Sequence, residues 1–537
     1  MLFTICIFLK HVGVMMIGKT SRRDFFSIGI GLLSVPFALQ TLDTANVPNE
    51  HYFDSKNSKI PNQVNSRLPR WRGFNLLEKF NGSNQPFLED DFRNISDLGF
   101  NFVRLPMDYR TWTVDGNKEN FEEKTLEEID QAVEFGQKYG IHVQLNFHRA
   151  PGYTVAFPSE DPLIWNNRNV LDICKLHWQT FARRYQSIPS EQLSFNLFNE
   201  PANCSEEEYF NVVRELVDVI HVENSSRLIY CDGIDWGTKP CISFKKIRVS
   251  QSTRGYLPME ISHYGAPWIN TKDFPEPQWP STIFNGLLPA LTKAEFPDVV
   301  RGPLTIKGNF LDNSTLRLRI GRVSYAAEIV VSFDNVPSYR RTFVPSSGKG
   351  DWKESFYNPT YHIYQNLYDL DIEVNIPNGT KVISITNIEG DWLTISKLTI
   401  SSTSTETTAL GSDNWKAQEL TTLFFEVVDG NSKLLGGELH NRQWLWNKCI
   451  APWQKVEDHN SRIMVGEFGA HNITPSHVVL SWMEDMLINW HVVNWGWALW
   501  NFRGTFGVAN SCRLDVNYED WRGLDLDRKM LSLLQRY

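Results

Sequence analysis

The sequence predicts an α/β protein: a TIM (β/α)8 barrel that is interrupted by an inserted all-β sandwich module. Three observations lead to this fold class. From Trp71 onward, short apolar segments alternate with amphipathic helical segments, which is typical of parallel βαβ units. From 285 to 408, apolar residues instead recur at every second position, as in half-buried β-strands. The helical pattern then resumes, so the barrel is predicted in two parts, 67–284 and 409–537.

The alternation of helix and strand is clearest between residues 125 and 147. Thr125 and Glu128 fit a capping box at the start of a helix that ends at Gly140. An apolar strand follows directly, from Ile141 to Phe147. Eight strands are expected in all, at 71–75, 102–105, 141–147, 193–198, 228–230, 259–262, 463–466 and 492–500. Eight is the number of strands in a TIM barrel.

The interrupting segment, 285–408, contains several runs that alternate apolar and polar residues. One run, 370–376, ends at a Pro-Asn-Gly turn. The Ser/Thr tract 401–408 is expected to be the exit linker of the module. A stretch without regular pattern carries four aromatic residues, Trp352, Tyr357, Tyr361 and Tyr364. These rings form either an exposed binding surface or part of the module's own core.

Composition and charge limit the partners. The net charge of −9 argues against a nucleic-acid partner, because such a partner favours a basic face. The 19 Trp, 33 Phe and 17 Tyr residues fit either flat aromatic surfaces that cover sugar rings or large aromatic cores. The histidines lack the spacing of metal ligands, and we expect neither a metal nor a cofactor.

The amino terminus carries a targeting pattern. Arg22 and Arg23 are followed by Asp-Phe-Phe and by an apolar run at 28–39. This resembles a twin-arginine export signal, which is an address read by a receptor. We therefore expect a signal at 1–45, a polar linker at 46–66, and a periplasmic or extracellular protein. The alternative is a signal anchor that stays in the membrane.

Two glutamates stand where TIM barrels build their active sites, at the carboxyl ends of strands. Glu200 follows the strand 193–198 within an Asn-Glu-Pro sequence, and Glu467 follows the strand that begins at Ile463. One such glutamate alone is more often a solvated loop residue or part of a salt bridge. Two of them favour chemistry, because cleavage of a glycosidic bond needs two carboxylates.

Seven short motifs, each at a predicted strand end, occur in the order in which one known family shows them. They are Val-Arg-Leu-Pro at Arg104, Asn-Phe-His at His148, Asn-Glu-Pro at Glu200, Asp-Gly at Asp232, His263 with Tyr264, Gly-Glu-Phe-Gly at Glu467, and Trp500. The chain thereby resembles glycoside hydrolase family 5, the cellulase family of the large retaining clan. The resemblance covers 71–284 and about 440–537 and does not extend to the inserted module.

The resemblance implies roles for individual residues. Glu200 would be the acid/base and Glu467 the nucleophile. Asn199 would hydrogen-bond the 2-hydroxyl of the sugar, a bond that strengthens in the transition state. Arg104 would lie below Glu467 and keep that carboxylate ionised, because a nearby cation favours the charged form.

Further residues would bind the substrate or support the nucleophile. His148 would line the sugar site, and Trp500 would stack under the sugar ring. Tyr264 would donate a hydrogen bond to the nucleophile. The family pattern is His, one residue, then Tyr, whereas His263 and Tyr264 are adjacent. Either Tyr264 holds the tyrosine place with Ser262 at the histidine place, or the strand carries a bulge.

The resemblance implies a retaining endo-type β-glycan hydrolase, cellulase-like, with β-1,4-glucan as the most favoured substrate. The alternatives within the family are a β-mannanase, a β-1,3-glucanase and a transglycosylase. An alternative of another class is a non-catalytic glycan-binding protein. The expected partner is a polysaccharide or oligosaccharide, without a membrane after signal removal, and the protein is expected to be a monomer. For such a protein the module 285–408 would be a carbohydrate-binding module or a wall beside the cleft.

Overall fold

The structure is a computed structural model. It describes residues 69–291, 302–415, 422–457 and 461–537. The predicted export signal, 1–45, and the predicted linker, 46–66, lie outside the described residues. Within the described part of the chain, no helix is long and apolar enough to cross a membrane.

Eight parallel strands form a closed barrel, which confirms the predicted fold class. Each strand pairs in parallel with the next, and β8 pairs with β1 to close the ring. The strands are β1 (Arg72–Asn75), β2 (Phe102–Asp108), β3 (His142–Ala150), β4 (Leu193–Asn196), β5 (Leu228–Asp232), β6 (Ser250–Gly255), β7 (Ile463–Phe468) and β8 (Gly496–Leu499). Their carboxyl ends meet at one face, which is the place of the active site in this fold.

Long helices pack around the barrel. They are α1 (Glu89–Asp97), α2 (Glu123–Tyr139), α3 (Arg168–Arg184), α4 (Glu206–Glu223), α5 (Ser476–Val492) and α6 (Arg528–Arg536). Helix α2 ends at Gly140 as predicted, with φ at 67°. The capping box expected at Thr125 is wrong, because the helix begins earlier and Thr125 lies inside it. The Glu128 side chain instead pairs with the buried Nζ of Lys79 at 2.7 Å.

The sixth strand does not lie where the sequence predicted it. Residues Met259–Ser262 form a short helix, so the strand expected there is wrong. The true strand, β6, has the sequence Ser-Gln-Ser-Thr-Arg-Gly and is buried along its whole length. Because it has no large apolar residue, hydrophobic periodicity does not mark it. Its polar groups find partners instead: Gln251 bonds both backbone groups of Cys241, at 2.8 and 3.1 Å.

Between β6 and β7 the chain forms two β-sheets that share one apolar core, as the predicted sandwich does. The first sheet contains Ser281–Asn285, Leu287–Pro289, Thr315–Ser324, Tyr357–Asn358, Ile363–Asn375, Trp392–Ser401, Glu406–Ser412 and Glu438–His440. The second contains Leu304–Gly308, Ala327–Phe333, Val336–Phe343, Val382–Gly390, Thr422–Val428 and Asn431–Leu435. These strands extend past the expected limits of 285–408 at both ends. The exit linker expected at 401–408 is wrong, because Ser401 ends one strand of the first sheet and residues 406–408 belong to the next, Glu406–Ser412, which pairs in parallel with Ser281–Asn285.

Ion pairs join the sandwich to the loop that follows β6. Lys272 Nζ lies 2.5 Å from Glu354 Oε1, and Arg322 Nη2 lies 3.0 Å from Asp273 Oδ1. Since this loop leaves the carboxyl end of β6, the sandwich is attached on the side of the barrel where active sites form.

Candidate active site

Two glutamate side chains lie close together at the carboxyl end of the barrel. Glu467 is on β7, and its side chain is 4% exposed. Glu200 follows β4, and its side chain is 17% exposed. Both carboxylates contact one guanidinium, that of Arg254 on β6. Arg254 Nε donates to Glu200 Oε1 at 2.9 Å, and Nη2 lies 3.3 Å from Glu467 Oε1.

The backbone of Glu200 is held in a conformation that side-chain-bearing residues rarely adopt. Its φ is +50°, in the left-handed region. The Glu200 N–H donates to Asp232 Oδ2 at 2.9 Å, and the Glu200 carbonyl accepts from the Tyr153 hydroxyl at 2.6 Å. These two bonds offset the cost of the strained backbone and fix the position from which the Glu200 side chain projects.

Arg104 on β2 lies fully buried beside Glu467. Its Nη1 donates to Glu467 Oε1 at 2.6 Å. The rest of its guanidinium is held by three asparagine side-chain oxygens, each at 3.0 Å, from Asn75, Asn196 and Asn199. The structure therefore places Arg104 where the resemblance expects it, in contact with the candidate nucleophile.

Arg254 is a site residue that the sequence reasoning missed. Besides both glutamates, it contacts Asn199 Oδ1 at 2.9 Å and forms an ion pair with the buried Asp232. Burial disfavours its charge, but the charges of Asp232, Glu467 and Glu200 outweigh burial and raise the pKa of Arg254. Arg254 is therefore a fixed cation at the centre of the site.

The carboxyl group of Glu200 has the properties of an acid. Burial raises the pKa of Glu200 to about 7. The negative charge of Glu467 adds to this rise, and Arg254 opposes it. Glu200 therefore holds its proton up to near-neutral pH, which a general acid needs.

The hydroxyl that contacts Glu467 belongs to Tyr256. It donates to Glu467 Oε2 at 3.1 Å, and burial raises the pKa of Tyr256, so the phenol stays a neutral donor. The expectation that Tyr264 donates this hydrogen bond is therefore wrong. Tyr264 instead lines a separate cavity of about 490 Å³, together with Lys272 and Asp369.

The reason for this correction is the displaced sixth strand. Arg254-Gly255-Tyr256 stands at the end of β6 and has the family's spacing, with one residue between the two positions. A search for two site residues separated by one residue at the carboxyl end of a strand could have identified Arg254 and Tyr256 from the sequence. Arg254 then holds the place where the family pattern has histidine, and no bulge at His263 and Tyr264 is needed.

His148 and Trp500 lie on one side of the site. The ring of His148 lies 4.6 Å from the ring of Phe80 and 5.8 Å from that of Trp500. Its Nε2 lies 3.5 Å from Asn199 Nδ2. Burial and the neighbouring arginines lower the pKa of His148, so the ring is neutral. Trp500 is half-buried, whereas the adjacent Trp497 is fully buried.

His263 lies at the edge of the site. Its ring is 5.1 Å from that of Tyr256, and its Nδ1 lies 2.8 Å from Ser262 Oγ. The structure therefore brings seven of the eight expected site residues together around the two glutamates, whereas Tyr264, on the loop after β6, lines the separate cavity. Among the residues that the structure describes, no group of three His, Cys, Asp or Glu side chains could hold a metal ion.

A (β/α)8 barrel that carries two glutamates at the carboxyl ends of its strands is an arrangement found among glycoside hydrolases. Residues 60–258 match the model of a family described as Cellulase (glycosyl hydrolase family 5), and this match confirms the resemblance inferred from the motifs. The matched range contains Arg104 and Glu200. Glu467 and Trp500 lie outside it, so their assignment depends on the motifs and the geometry.

The individual proteins to which the chain is similar include an endoglucanase and a cellodextrinase. The chain is 28% identical over 189 residues to Endoglucanase C of Acetivibrio thermocellus, which covers 34% of this chain and 53% of that enzyme. It is 26% identical over 188 residues to Cellodextrinase A of Ruminococcus flavefaciens, covering 34% and 54%. The chain thus spans about half the length of the curated relatives it matches. A crystal structure described as a glycoside hydrolase shares the fold, with a TM-score of 0.55, 23% identity, and coverage of 87% of this chain and 99% of that one.

Proposed function

We propose that this protein is a retaining, endo-type β-glycan hydrolase that acts on β-1,4-glucan. The observation that carries the proposal is the pair Glu200 and Glu467, held by one guanidinium at the carboxyl end of a TIM barrel. Two carboxylates at this place are the machinery of glycoside cleavage.

The environment of each carboxylate supports a different role. Glu467 contacts Arg104, Arg254 and the hydroxyl of Tyr256, and these three groups hold its carboxylate in one position. A carboxylate held in this way can attack the anomeric carbon as the nucleophile. Glu200, with its pKa raised to about 7, can donate a proton to the leaving oxygen. In the second step Glu200 takes a proton from water, which then releases the sugar from Glu467.

The surrounding residues suit a sugar ring. The amide oxygen of Asn199 accepts from Arg104 and Arg254, which leaves its amide NH2 to donate to a sugar hydroxyl. Trp500 lies beside the neutral ring of His148, and together they offer an aromatic surface next to Asn199. Such a surface packs against the apolar face of a sugar.

The endo-type proposal is supported by an aromatic surface beyond the reacting centre. Trp268 on the loop after β6 is 55% exposed. Its ring lies 6.0 Å from that of His263 and 6.0 Å from that of Phe506, so the exposed ring is supported from below. A row of rings from Tyr256 to Trp268 suits a chain of several sugars. The relatives named endoglucanase and cellodextrinase favour glucan over mannan as that chain.

The experiment that tests the two roles uses alanine variants. Glu467→Ala should abolish turnover, and added azide should restore part of it by forming a glycosyl azide. Glu200→Ala should lose most activity on substrates with poor leaving groups and keep some on activated aryl glycosides. Glu207→Ala, at an exposed glutamate on α4, is the control and should match the wild type. Equal loss on every substrate in both variants contradicts the assignment.

The substrate is tested with a panel of β-1,4-glucan, β-1,3-glucan, β-mannan and short β-glucosides. Products of intermediate length from β-1,4-glucan support endo action on that polymer. Preferential cleavage of mannan or of β-1,3-glucan would select one of the alternatives. Transfer to added acceptor sugars in preference to water indicates a transglycosylase, and binding without turnover indicates a glycan-binding protein.

We propose that the sandwich binds glycan and feeds the cleft. Tyr357 and Tyr361 are 43% and 51% exposed, which supports a binding surface, whereas Trp352 packs against the sandwich core. The alternative is a wall that shapes the cleft. Replacing 281–440 by a Gly/Ser link distinguishes them: loss on polymer alone supports binding, since tethering raises the effective concentration. Loss of activity on both polymer and oligosaccharide supports a wall. If the shortened protein is as active as the wild type on both substrates, the binding proposal is wrong.

A further inference from the structure

We propose that Arg254 is a positioning residue that lets Glu200 exchange the roles of acid and base within one catalytic cycle. This inference rests on the proposed function, because it takes Glu200 as the acid/base and Glu467 as the nucleophile. In the pattern that the chain resembles, a histidine stands at the place of Arg254. A permanent cation there changes the charge that Glu200 faces in each step.

The barrel is built around the Arg254 side chain, which is 2% exposed. A Cβ added at Gly237 would lie 2.9 Å from Arg254 Cγ, and a Cβ added at Gly466 would lie 3.0 Å from Nη1. Two glycines thus leave the room that the long side chain needs. Its guanidinium is then fixed by Asn199 and by Asp232. Arg254 is therefore a fixed charge and does not follow Glu200 if that side chain moves.

Several charged and titratable groups surround the two glutamates in the described part of the chain. They are Arg104 on β2, His148 on β3, Tyr153 after β3, Asp232 on β5, Arg254 on β6, and Tyr256 directly after β6. His263, whose pKa burial lowers to about 4, lies against Tyr256. Burial lowers the pKa of His148 and raises the pKa of both tyrosines, so these three are neutral near pH 7. The two arginines, Arg104 and Arg254, then face the carboxyl groups of Asp232 and Glu467. Positive and negative charges in the cluster are equal in number while Glu200 holds its proton.

Formation of the glycosyl-enzyme changes this balance. The carboxylate of Glu467 forms a bond to the anomeric carbon and loses its charge, while the proton of Glu200 goes to the leaving oxygen. Two arginines now face Asp232 alone, so an ionised Glu200 restores neutrality. Arg254 thereby keeps Glu200 ionised and able to take a proton from the attacking water. Without Arg254, Glu200 would hold its proton more tightly in both steps.

The first test is the pH dependence of kcat/KM on an aryl β-glycoside that needs acid assistance. Arg254→Gln should move the basic limb upward by about one pH unit, because an opposite charge at this distance shifts a carboxyl pKa by at least that much. Arg254→Lys keeps the charge and should leave the limb close to that of the wild type. Arg227→Gln is the control: Arg227 is also buried, but it donates to backbone carbonyls such as that of Leu193 and should not move the limb.

The second test isolates the step in which Glu200 acts as base. With an activated aryl glycoside, the first step is fast and release of the sugar limits turnover. At a pH below the pKa of Glu200 in the glycosyl-enzyme, Arg254→Gln should show a steady rate up to about tenfold lower than that of the wild type, since one pKa unit then changes the ionised fraction of Glu200 about tenfold. The steady rate should recover as pH rises. A loss caused only by altered packing would be the same at every pH.

The outcomes separate this inference from the proposed function. An active wild type with an unchanged basic limb in Arg254→Gln, or with a steady rate that this variant lowers equally at every pH, overturns the role of Arg254 and leaves the two glutamates assigned. A wild type without turnover on any β-glycan or aryl β-glycoside overturns the proposed function as well. If circular dichroism shows that Arg254→Gln does not fold, Arg254→Met carries the test, because methionine has no charge at any pH and should raise the limb in the same way.

Discussion

Replacement of Arg104 by methionine should destabilise the protein by removing one partner of a buried ion pair. The Arg104 side chain is 0% exposed, and its Nη1 lies 2.6 Å from the carboxylate of Glu467, which is 4% exposed. Breaking such a pair leaves a buried charge without its partner and costs about 3–5 kcal/mol. Because Arg254 lies 3.3 Å from the same carboxylate oxygen, we expect the lower value, about 3 kcal/mol.

The assay is thermal unfolding followed by circular dichroism at a fixed scan rate. At ~2.1 cal/mol/K per residue, the unfolding entropy of the folded part of this chain is roughly 1 kcal/mol/K. A loss of about 3 kcal/mol in unfolding free energy should therefore lower Tm by about 3 °C. Arg317→Met is the control, because Arg317 pairs with Glu373 at the surface, and such pairs contribute less than about 1 kcal/mol.

A double variant sharpens the test. Arg104→Met combined with Glu467→Met removes both charges, so its Tm should lie above that of Arg104→Met alone. The reasoning is refuted if Arg104→Met lowers Tm no more than Arg317→Met does. It is also refuted if the second substitution deepens the loss by its full separate effect, which would mean that the two side chains do not interact.

Four further results are expected. The product should retain the anomeric configuration by NMR, because two carboxylates on one guanidinium lie too close for the ~6.5–9.5 Å gap of an inverting enzyme; an inverted first product contradicts this. The raised pKa of Glu200 means that the folded protein binds more protons than the unfolded chain, so the contribution of Glu200 to stability falls by about 3 kcal/mol as pH rises from about 4.5 to about 7. Glu200→Gln should remove this pH dependence of Tm, and an unchanged dependence counts against it. Trp268→Ala should reduce activity on polymer more than on a short aryl glycoside, while Phe424→Ala, at an exposed ring of the sandwich, should change neither; equal loss on both substrates argues against a sugar contact. Arg22→Lys with Arg23→Lys should keep the protein in the cytoplasm of an exporting host, and unchanged secretion means that another route is used.

Local signals in the sequence determined much of the fold and the two central residues. Strands β3 and β4 were predicted because they are apolar and are bounded by helical segments. Glu200 was found because it comes shortly after β4, and Glu467 because it lies near the end of β7. Gly140 marked a helix end because a left-handed φ strongly favours glycine at that position. In each case the pattern that marks the feature lies within a few neighbouring residues of the sequence.

Only the tertiary structure decided the sixth strand and the residues it carries. β6 is buried and polar, a combination that is stable only because partners far away in the chain satisfy its side chains. Arg254 is held by Glu200 and Glu467, and Tyr256 by Glu467. The parallel pairing of Glu406–Ser412 with Ser281–Asn285 also joins residues that are distant in sequence. This pairing extends the sandwich past its predicted end. Hydrophobic periodicity records which residues avoid water, and it carries no information about polar groups whose burial is offset by partners distant in sequence.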